Sequence, residues 1–194
     1  MLSNLNKYDI ILASKSPRRL ELLKGLDIPF SVKVIDVEET YPSDVFGVEI
    51  PAYLAEKKSN AFRDLMEENT LLITADTIVW HEGKVLGKPE NKAEATSMLN
   101  SLSGRRHQVI TGVCISTLRK KKTFSVISDV SFAKINAEEI EYYLENYQPY
   151  DKAGSYGVQE WIGFIGVESI EGSYFNVMGL PVQRLYNELK NWKE

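Results

Sequence analysis

An apolar run that passes directly into a helix start is the feature that most constrains this fold. Ile10–Ala13 is apolar and predicts a buried strand, and Pro17–Lys24 predicts a helix that ends at Gly25. Ser16 suits the N-cap of that helix, and proline suits its first position. The free backbone N–H groups and the positive end of the helix dipole would then face whatever lies after the strand. The stretch therefore predicts a strand-to-helix unit with an anion site at its junction.

Two adjacent arginines bear on that anion site. Arg18 and Arg19 fall in the first helical turn, where the dipole favours acidic side chains. An anionic partner would offset this unfavourable arrangement, and a polyphosphate is one such partner. The alternative, two solvated arginines on a surface helix, stays equally open from this stretch alone.

The composition predicts a globular protein that does not bind nucleic acid polymers. The 194 residues carry 23 Lys and Arg against 27 Asp and Glu, so the net charge is −4. A general nucleic-acid binder is more often basic, so an anion must meet a local group of cations. The length and the hydrophobic fraction of 43% fit a single domain over residues 1–194 with a sizeable core.

Cysteine use and hydropathy favour a cytoplasmic protein without a membrane partner. Cys114 is the only cysteine, so no disulfide can form within the chain, as is typical of a reducing compartment. The N-terminal residues lack the basic start and the cleavage site of a signal peptide. No apolar run reaches the length of a membrane span. The oligomeric state stays open, a homodimer included.

Hydrophobic periodicity predicts a mixed α/β fold with antiparallel hairpins. Strands are predicted at Phe30–Val37, Leu71–Trp80, His107–Leu118, Thr123–Ile135 and Ile162–Ile170. Further helices are predicted over Ala52–Met66, before Gly104, after a capping-box start at Asn136 and over Val182–Trp192, and Gly172–Pro181 is predicted as a loop.

One carboxylate interrupts the most apolar segment of the chain. Asp76 falls in the middle of the strand predicted over Leu71–Trp80. Because burying an unpaired charge is costly, Asp76 must be paired, metal-bound or protonated. It is therefore a candidate metal ligand or general base with a shifted pKa. A carboxylate that caps a turn at the strand end is the alternative.

Two lysines could add to the positive charge of the arginines. Lys58 falls near the centre of the apolar stripe of its predicted helix, from which its ammonium can snorkel or reach into a cleft. Lys88 lies within Gly87–Pro89, where proline restricts the backbone. Each lysine alone is more often structural or solvated, but the lysines and arginines together match the charge of a triphosphate. The phosphate-binding pattern G-x-x-x-x-G-K-[ST] does not occur.

Two further segments carry groups that could bind a ligand. Strand alternation would put Asp36 and Glu38 on one face, which suffices for Mg²⁺ because that ion uses only one or two carboxylates. Gln159 ends a segment of small and polar residues, Asp151–Gln159, and its amide could pair with a base edge. An acidic strand end and an ordinary connector are the alternatives.

A series of blocks, in matching order and spacing over nearly the whole chain, resembles the Maf family of nucleotide pyrophosphatases. The blocks are Leu12–Arg19 with Glu21–Leu23, Ala75–Thr77 with Gly87–Pro89, Leu102–Arg105 with His107, Thr111–Val113, Asp151–Gly154 with Tyr156, Gly157 and Gln159, and Asn176–Pro181. One block would be a moderate signal, whereas the ordered series is a strong one.

The resemblance implies a fold and an activity. The expected fold is an elongated, two-lobed α/β (mixed α+β) domain with a central mixed sheet and a deep cleft, similar to inosine triphosphate pyrophosphatases. The expected activity is hydrolysis of a nucleoside triphosphate to the monophosphate and pyrophosphate, with Mg²⁺ or Mn²⁺, in the cytoplasm. The Asp-Lys-Ala-Gly-x-Tyr-Gly-x-Gln form resembles the branch that acts on dTTP and UTP, and the cellular substrate could be a modified pyrimidine nucleotide.

The resemblance also implies roles for particular residues. Its specificity positions match Arg18, Thr77 and Gln159, its general base matches Asp76, and its metal and phosphate set matches Glu38, Lys58 and Lys88. The predicted site therefore comprises catalytic Asp76, Lys88 and Lys58, substrate-binding Ser14, Arg18, Arg19, Thr77 and Gln159, and metal-binding Glu38 and Asp76.

One departure and two alternatives remain. Arg106 stands where a small residue is more usual before His107, which makes the surroundings of that histidine uncertain. A phosphatase or kinase could use the same anion site. A non-catalytic, nucleotide-binding regulator of cell division is the other alternative, although Asp76, Lys58 and Lys88 are all present.

Overall fold

A computed structural model describes residues 2–193 and contains one mixed sheet together with α-helices. The strands are β1 (Asp9–Leu12), β2 (Ser31–Val32), β3 (Thr70–His81), β4 (Lys84–Leu86), β5 (Arg106–Ser116), β6 (Lys121–Phe132) and β7 (Val167–Glu171). The α-helices are α1 (Pro17–Lys24), α2 (Glu49–Ala61), α3 (Lys92–Leu102), α4 (Ala137–Tyr147), α5 (Trp161–Gly166), α6 (Tyr174–Met178) and α7 (Val182–Lys190). Short 3₁₀ turns occur at Ser3–Leu5, Arg63–Leu65 and Ala153–Ser155.

The sheet has both parallel and antiparallel pairs. Its order is β2-β1-β3-β5-β6-β7, and β4 pairs with β3 outside this path. Strand β1 is parallel to β2 and to β3, with Leu12 opposite Ile73, whereas β4 is antiparallel to β3 and β7 is antiparallel to β6. The predicted class, mixed α/β with a central mixed sheet, is confirmed.

The chain divides into two compact units. The first comprises the residues up to Asp76, Thr111–Val126 and the residues from Gly179 onward. The second comprises Thr77–Ile110 and Ile127–Met178. Strands β3, β5 and β6 contribute residues to both units.

Close packing of α2 against the sheet characterises the first unit. A Cβ on Gly112 of β5 would lie 2.2 Å from the Pro51 carbonyl carbon, so only glycine allows the helix backbone to approach this closely. On the adjacent strand β3, the Thr74 hydroxyl donates to the Ala55 carbonyl oxygen at 2.6 Å. These contacts hold α2 close to the sheet, and they therefore set the distance between side chains of α2 and side chains of β3.

Helices α3 and α4 cover the main core of the second unit. Leu99, Leu102, Phe132, Tyr143 and Leu144 are buried within it. The Asn136 side chain accepts from the Glu139 N–H while the Glu139 carboxylate accepts from the Asn136 N–H, so the predicted capping box is confirmed.

Two predicted strands were wrong in extent. Only Ser31–Val32 of the predicted Phe30–Val37 strand pairs with β1, and the last backbone bond to β1 is from the Lys33 N–H to the Leu12 carbonyl oxygen at 3.2 Å. Both paired residues are exposed, so the alternation of this segment does not mark a buried strand face. The segment predicted as Ile162–Ile170 is a helix, α5, followed by strand β7 from Val167. A short apolar run does not distinguish a buried helix from a strand.

The start of one helix and the content of one predicted loop also differ from the sequence prediction. Helix α2 begins at Glu49 rather than Ala52, because Pro51 is tolerated within a first turn. The predicted loop Gly172–Pro181 contains the short helix α6. Within residues 2–193, no helix is long and apolar enough to cross a membrane.

Candidate active site

The junction between β1 and α1 forms as the sequence predicts. Pro17 opens the helix, and the Ser16 hydroxyl accepts from the Arg19 N–H at 3.4 Å. The Ser14 hydroxyl accepts from the Ser16 N–H at 3.2 Å, so both serines order the chain ahead of the helix. The first turn contains no acidic residue, which leaves the positive end of the dipole unopposed by a local carboxylate.

Arg19 fastens this junction to the neighbouring strand. Its Nη1 donates to the Ala75 carbonyl oxygen at 2.8 Å, and its Nε donates to the Gly179 carbonyl oxygen at 2.8 Å. Enclosure of the guanidinium lowers the pKa of Arg19, an effect that the nearby Asp76 carboxylate partly offsets. Because arginine stays charged at neutral pH, Arg19 holds a fixed positive charge next to the residue that precedes Asp76.

An ion cluster built on the buried carboxylate of Asp76 lies where α2 meets β3. Lys58, in the last turn of α2, places its Nζ 2.5 Å from Asp76 Oδ1 and 2.7 Å from Glu39 Oε1. The Asp76 side chain is only 9% exposed and the Lys58 side chain 17% exposed. A partner of opposite charge offsets the cost of burying Asp76, which identifies the partner that the sequence required.

The surroundings of Asp76 favour its protonated form. Burial raises the pKa of Asp76 above the usual 3.8, and the Lys58 ammonium and Arg19 guanidinium oppose that rise. A carboxylate with a raised pKa binds a proton more readily than a solvated one. This is the property expected of a group that accepts a proton during a reaction.

Glu39 joins this cluster, next to the predicted Glu38. Glu38 was predicted from strand alternation with Asp36 and from the family resemblance, but β2 ends at Val32, so alternation does not apply at this position. Both glutamates are exposed, and Glu39 is the one whose carboxylate contacts Lys58. The adjacent pair of glutamates was a usable signal for this position.

Metal-binding capacity rests on few carboxylates. Within residues 2–193, no set of three or more His, Cys, Asp or Glu side chains is placed to hold a metal ion. Asp76 and Glu39 nevertheless bind one ammonium between them, so two hard oxygen ligands lie close together. Mg²⁺ commonly takes one or two carboxylates and fills its other positions with water and phosphate oxygens.

Arg18 lies half-buried in the first turn of α1, in the first unit, and the remaining predicted residues belong to the second unit or to its boundary. Thr77 follows Asp76 in β3 and begins the second unit. Lys88 is exposed in the segment after β4. The Gly154 N–H donates to the Gly87 carbonyl oxygen at 3.0 Å, which joins the Lys88 segment to the Asp151–Gln159 segment.

The side-chain oxygen of Gln159 accepts no hydrogen bond from the residues that the structure describes. This atom, Oε1, is buried and has no hydrogen-bond partner within the part of the chain that the structure describes. Buried amide oxygens are normally paired, so an unpaired one is a candidate acceptor for a ligand donor. This agrees with the predicted use of Gln159 to contact a base.

His107 is a core residue. Its Nε2 lies 2.7 Å from the Tyr156 hydroxyl, and burial lowers the pKa of His107 to about 3. Arg106, the unusual neighbour, points away and pairs with Glu171 and with Asp129 at 3.3 Å. The arginine at position 106 therefore leaves the hydrogen bond between His107 and Tyr156 in place.

The chain shares most of its sequence with named bacterial proteins. It is 59% identical over 191 residues to the dTTP/UTP pyrophosphatase of Bacteroides thetaiotaomicron, covering 98% of this chain and 99% of that protein. A protein of the same name from Parabacteroides distasonis is 60% identical over 193 residues, covering 99% and 100%. That of Flavobacterium johnsoniae is 51% identical over 185 residues, covering 95% of each.

Solved structures resemble the chain more distantly. The Ham1 protein of Staphylococcus aureus gives a TM-score of 0.47 at 20% identity, covering 64% of this chain and 72% of that one. A nucleoside-triphosphatase described as a dITP/XTP pyrophosphatase, from Mycobacterium abscessus, gives 0.38 at 16%, covering 66% and 76%. A sequence profile described as Maf-like protein matches residues 9–192, and the chain therefore belongs to the Maf family.

Proposed function

We propose that this protein is a nucleoside triphosphate pyrophosphatase that hydrolyses dTTP and UTP to the monophosphate and pyrophosphate. The observation that carries the proposal is the buried Asp76 carboxylate, paired with Lys58 and close to the Arg19 guanidinium. Relatives that match the full length of this chain bear the name of this activity. A modified pyrimidine triphosphate belongs to the same substrate class.

The chemistry asked of the side chains is proton transfer and charge neutralisation. Asp76 accepts a proton from water as the water oxygen bonds to the α-phosphorus. The bond from that phosphorus to the oxygen bridging the β-phosphorus breaks, and its electrons leave with pyrophosphate. Arg19, Lys58 and Lys88 supply positive charge to the phosphate oxygens, with Ser14 ahead of the α1 N-terminus. Positioning and electrostatics carry most of such a reaction.

A divalent cation, Mg²⁺ or Mn²⁺, fits the acidic pair of the first unit. Asp76 and Glu39 offer hard oxygens that already share one cationic partner, Lys58. We propose Glu39 in this role in place of Glu38, because Glu39 shares the Lys58 ammonium with Asp76. When bound with the triphosphate, the cation would neutralise phosphate charge and make water easier to deprotonate.

Base selection is assigned to Gln159, Thr77 and Arg18. The supporting observation is the buried, unpaired Oε1 of Gln159, which can accept from the ring N–H of thymine or uracil, while the amide NH₂ can donate to a ring carbonyl. Adenine presents the opposite order of donor and acceptor, and guanine, which shares the carbonyl and ring N–H pair, adds an amino group where thymine and uracil have a second carbonyl. A site built to pair with one pattern discriminates against a ligand that leaves its groups unpaired.

The single cysteine, Cys114, is buried, and no disulfide within the chain is possible, which supports a cytoplasmic location beside the nucleotide pool. A homodimer is the assembly that we would test first. Neither proposal affects the chemistry described above.

Product identification tests the proposed function. The protein would be incubated with dTTP, UTP, ATP and GTP in Mg²⁺ or Mn²⁺, and pyrophosphate, orthophosphate and nucleotide products would be quantified. We expect pyrophosphate with dTMP or UMP, and background turnover in excess EDTA. Orthophosphate with a nucleoside diphosphate would indicate a phosphatase instead. Binding without turnover in both metals would indicate the regulatory alternative.

A further inference from the structure

A network of polar groups, to which the proposed reaction assigns no role, holds the backbone on both sides of Gln159. The Gly157 N–H donates to the Tyr143 hydroxyl at 3.0 Å, and that hydroxyl donates to Glu160 Oε2. The other oxygen of the same carboxylate, Oε1, lies 3.0 Å from Lys152 Nζ. The network therefore fixes residues on both sides of Gln159.

The members of the network are enclosed, which makes their hydrogen bonds restrictive. Tyr143 is fully buried, and the Lys152 and Glu160 side chains are only 9% and 20% exposed. Burial and the bond to Glu160 raise the pKa of the Tyr143 hydroxyl, so it stays protonated and keeps its donor role. Satisfied buried networks of this kind hold a segment in one conformation.

Gln159 and Glu160 pack against the same glycine. A Cβ on Gly157 would lie 2.8 Å from the Glu160 carboxylate carbon and 3.0 Å from Gln159 Nε2. The Glu160 N–H also donates to the Gly157 carbonyl oxygen at 3.0 Å, which closes a tight turn around Gln159. The space next to the amide is therefore set by where the network holds Gly157 and Glu160.

We propose that Tyr143 and Glu160 are positioning residues for base selection, acting through the turn that carries Gln159. This inference rests on the proposed role of Gln159 in contacting the pyrimidine base. A flexible glutamine must lose side-chain conformational entropy to pair with a base. When the amide is already held in place, that entropy is lost on folding and does not reduce the free energy of binding. Tyr143 and Glu160 supply that arrangement without touching the substrate.

Tyr143→Phe tests the proposal with a matched control. The change removes both hydrogen bonds of the hydroxyl and keeps the ring, which stacks on Tyr147 with centroids 5.2 Å apart. Tyr147→Phe makes the same deletion one turn along α4, at a residue that is 38% exposed, outside the network. We expect Tyr143→Phe to lower kcat/KM for dTTP roughly 3- to 10-fold relative to that for GTP, the worth of about one hydrogen bond. The change should lie mainly in KM, and Tyr147→Phe should leave the ratio within about twofold, the ordinary range of a neutral surface change.

A cycle with Gln159→Ala separates positioning from general damage. If Tyr143 acts through Gln159, Tyr143→Phe should not change the dTTP to GTP ratio in the Gln159→Ala background. A retained effect in that background, or equal losses for both nucleotides, would overturn the proposal. If Gln159→Ala alone leaves selectivity unchanged, the base-reading role fails and this inference fails with it, while pyrophosphate release would still report the activity.

Glu160→Gln replaces Tyr143→Phe if the latter does not fold, as judged by thermal melting. The amide oxygen can accept from Lys152 and its NH₂ group can donate to the Tyr143 hydroxyl oxygen, but the Tyr143 hydroxyl hydrogen then loses its acceptor and the negative charge is removed. We expect the same shift in selectivity, again absent in the Gln159→Ala background. A folded Glu160→Gln protein with unchanged relative rates would overturn the proposal.

Discussion

The two units use different physical means at their candidate sites. In the first unit, Lys58 pairs with the buried carboxylate of Asp76 and with the exposed carboxylate of Glu39. In the second, the group assigned to the base is the neutral amide of Gln159, whose oxygen has no hydrogen-bond partner among residues 2–193. Charge suits a triphosphate and a proton transfer, whereas directed hydrogen bonds suit discrimination between bases. We therefore expect changes in the first unit to alter rate and changes in the second to alter choice.

Asp76→Asn should have the largest effect. The amide is nearly isosteric but cannot accept a proton from water, so kcat should fall by roughly two to four orders of magnitude. Burial raises the pKa of Asp76 above 3.8, so the folded protein binds that proton more tightly than the unfolded chain does, and ionised Asp76 lowers stability at neutral pH. The melting temperature of the variant at pH 7 should therefore be no lower than that of the parent. A folded variant with kcat within a few-fold of the parent would make Glu39 the next candidate base.

Lys58→Ala should move the pH profile as well as the rate. Removing the ammonium 2.5 Å from Asp76 raises the pKa of that carboxylate further, so the acidic limb of kcat/KM should shift upward by ~1 pH unit or more. Lys57→Ala is the control, because Lys57 bonds the Thr40 carbonyl oxygen and lies on the same helix. An acidic limb of kcat/KM at the same pH as in the parent protein, in both variants, would contradict this prediction.

Gln159→Glu should alter substrate choice by a smaller factor. The change replaces the amide donor with a charged oxygen beside the base, so the preference for dTTP over GTP should fall about tenfold or more, a typical cost of leaving a buried group unpaired. Relative kcat/KM values for the four common triphosphates would measure it. Unchanged relative rates in a folded variant would remove Gln159 from base selection.

His107→Phe should have the smallest effect on catalysis and act on acid stability. The folded-state pKa of about 3 lies below the usual 6.5, so stability that is present above pH 6.5 is lost as pH falls toward 3. Each pH unit in that window costs ~1.4 kcal/mol for one proton. The parent should lose more unfolding free energy than His107→Phe does between these pH values, with nucleotide preference the same in both. Parallel stability curves would contradict the role of the neutral core histidine.

Local signals predicted much of this molecule, and tertiary contacts explain what they missed. The β1–α1 junction and the α4 capping box depend on side chains within a few residues of each other, so sequence sufficed. Asp76 and Lys58 were each singled out because a charge broke an apolar pattern. Their direct pairing depends on how closely α2 packs on the sheet, which Gly112 permits and no local pattern encodes.

The misses have equally specific causes. The contact of Glu39 with Lys58 was not predicted, because it depends on the path of the chain after β2, which ends at Val32. Helix α5 was missed because six residues are too few to show a period. The network around Gln159 was not predicted, because no local pattern places Tyr143 of α4 beside Gly157 and Glu160, and only its hydroxyl contacts reveal a further role.

The most direct test compares rate and choice in one pair of variants. Steady-state kcat and KM for dTTP and GTP would be measured for the parent, Asp76→Asn and Gln159→Ala. We predict that Asp76→Asn lowers kcat for both nucleotides by the same factor and keeps their kcat/KM ratio. Gln159→Ala should keep most of kcat for dTTP and reduce the ratio. A changed ratio in Asp76→Asn together with an unchanged ratio in Gln159→Ala would contradict the division of roles between the two units.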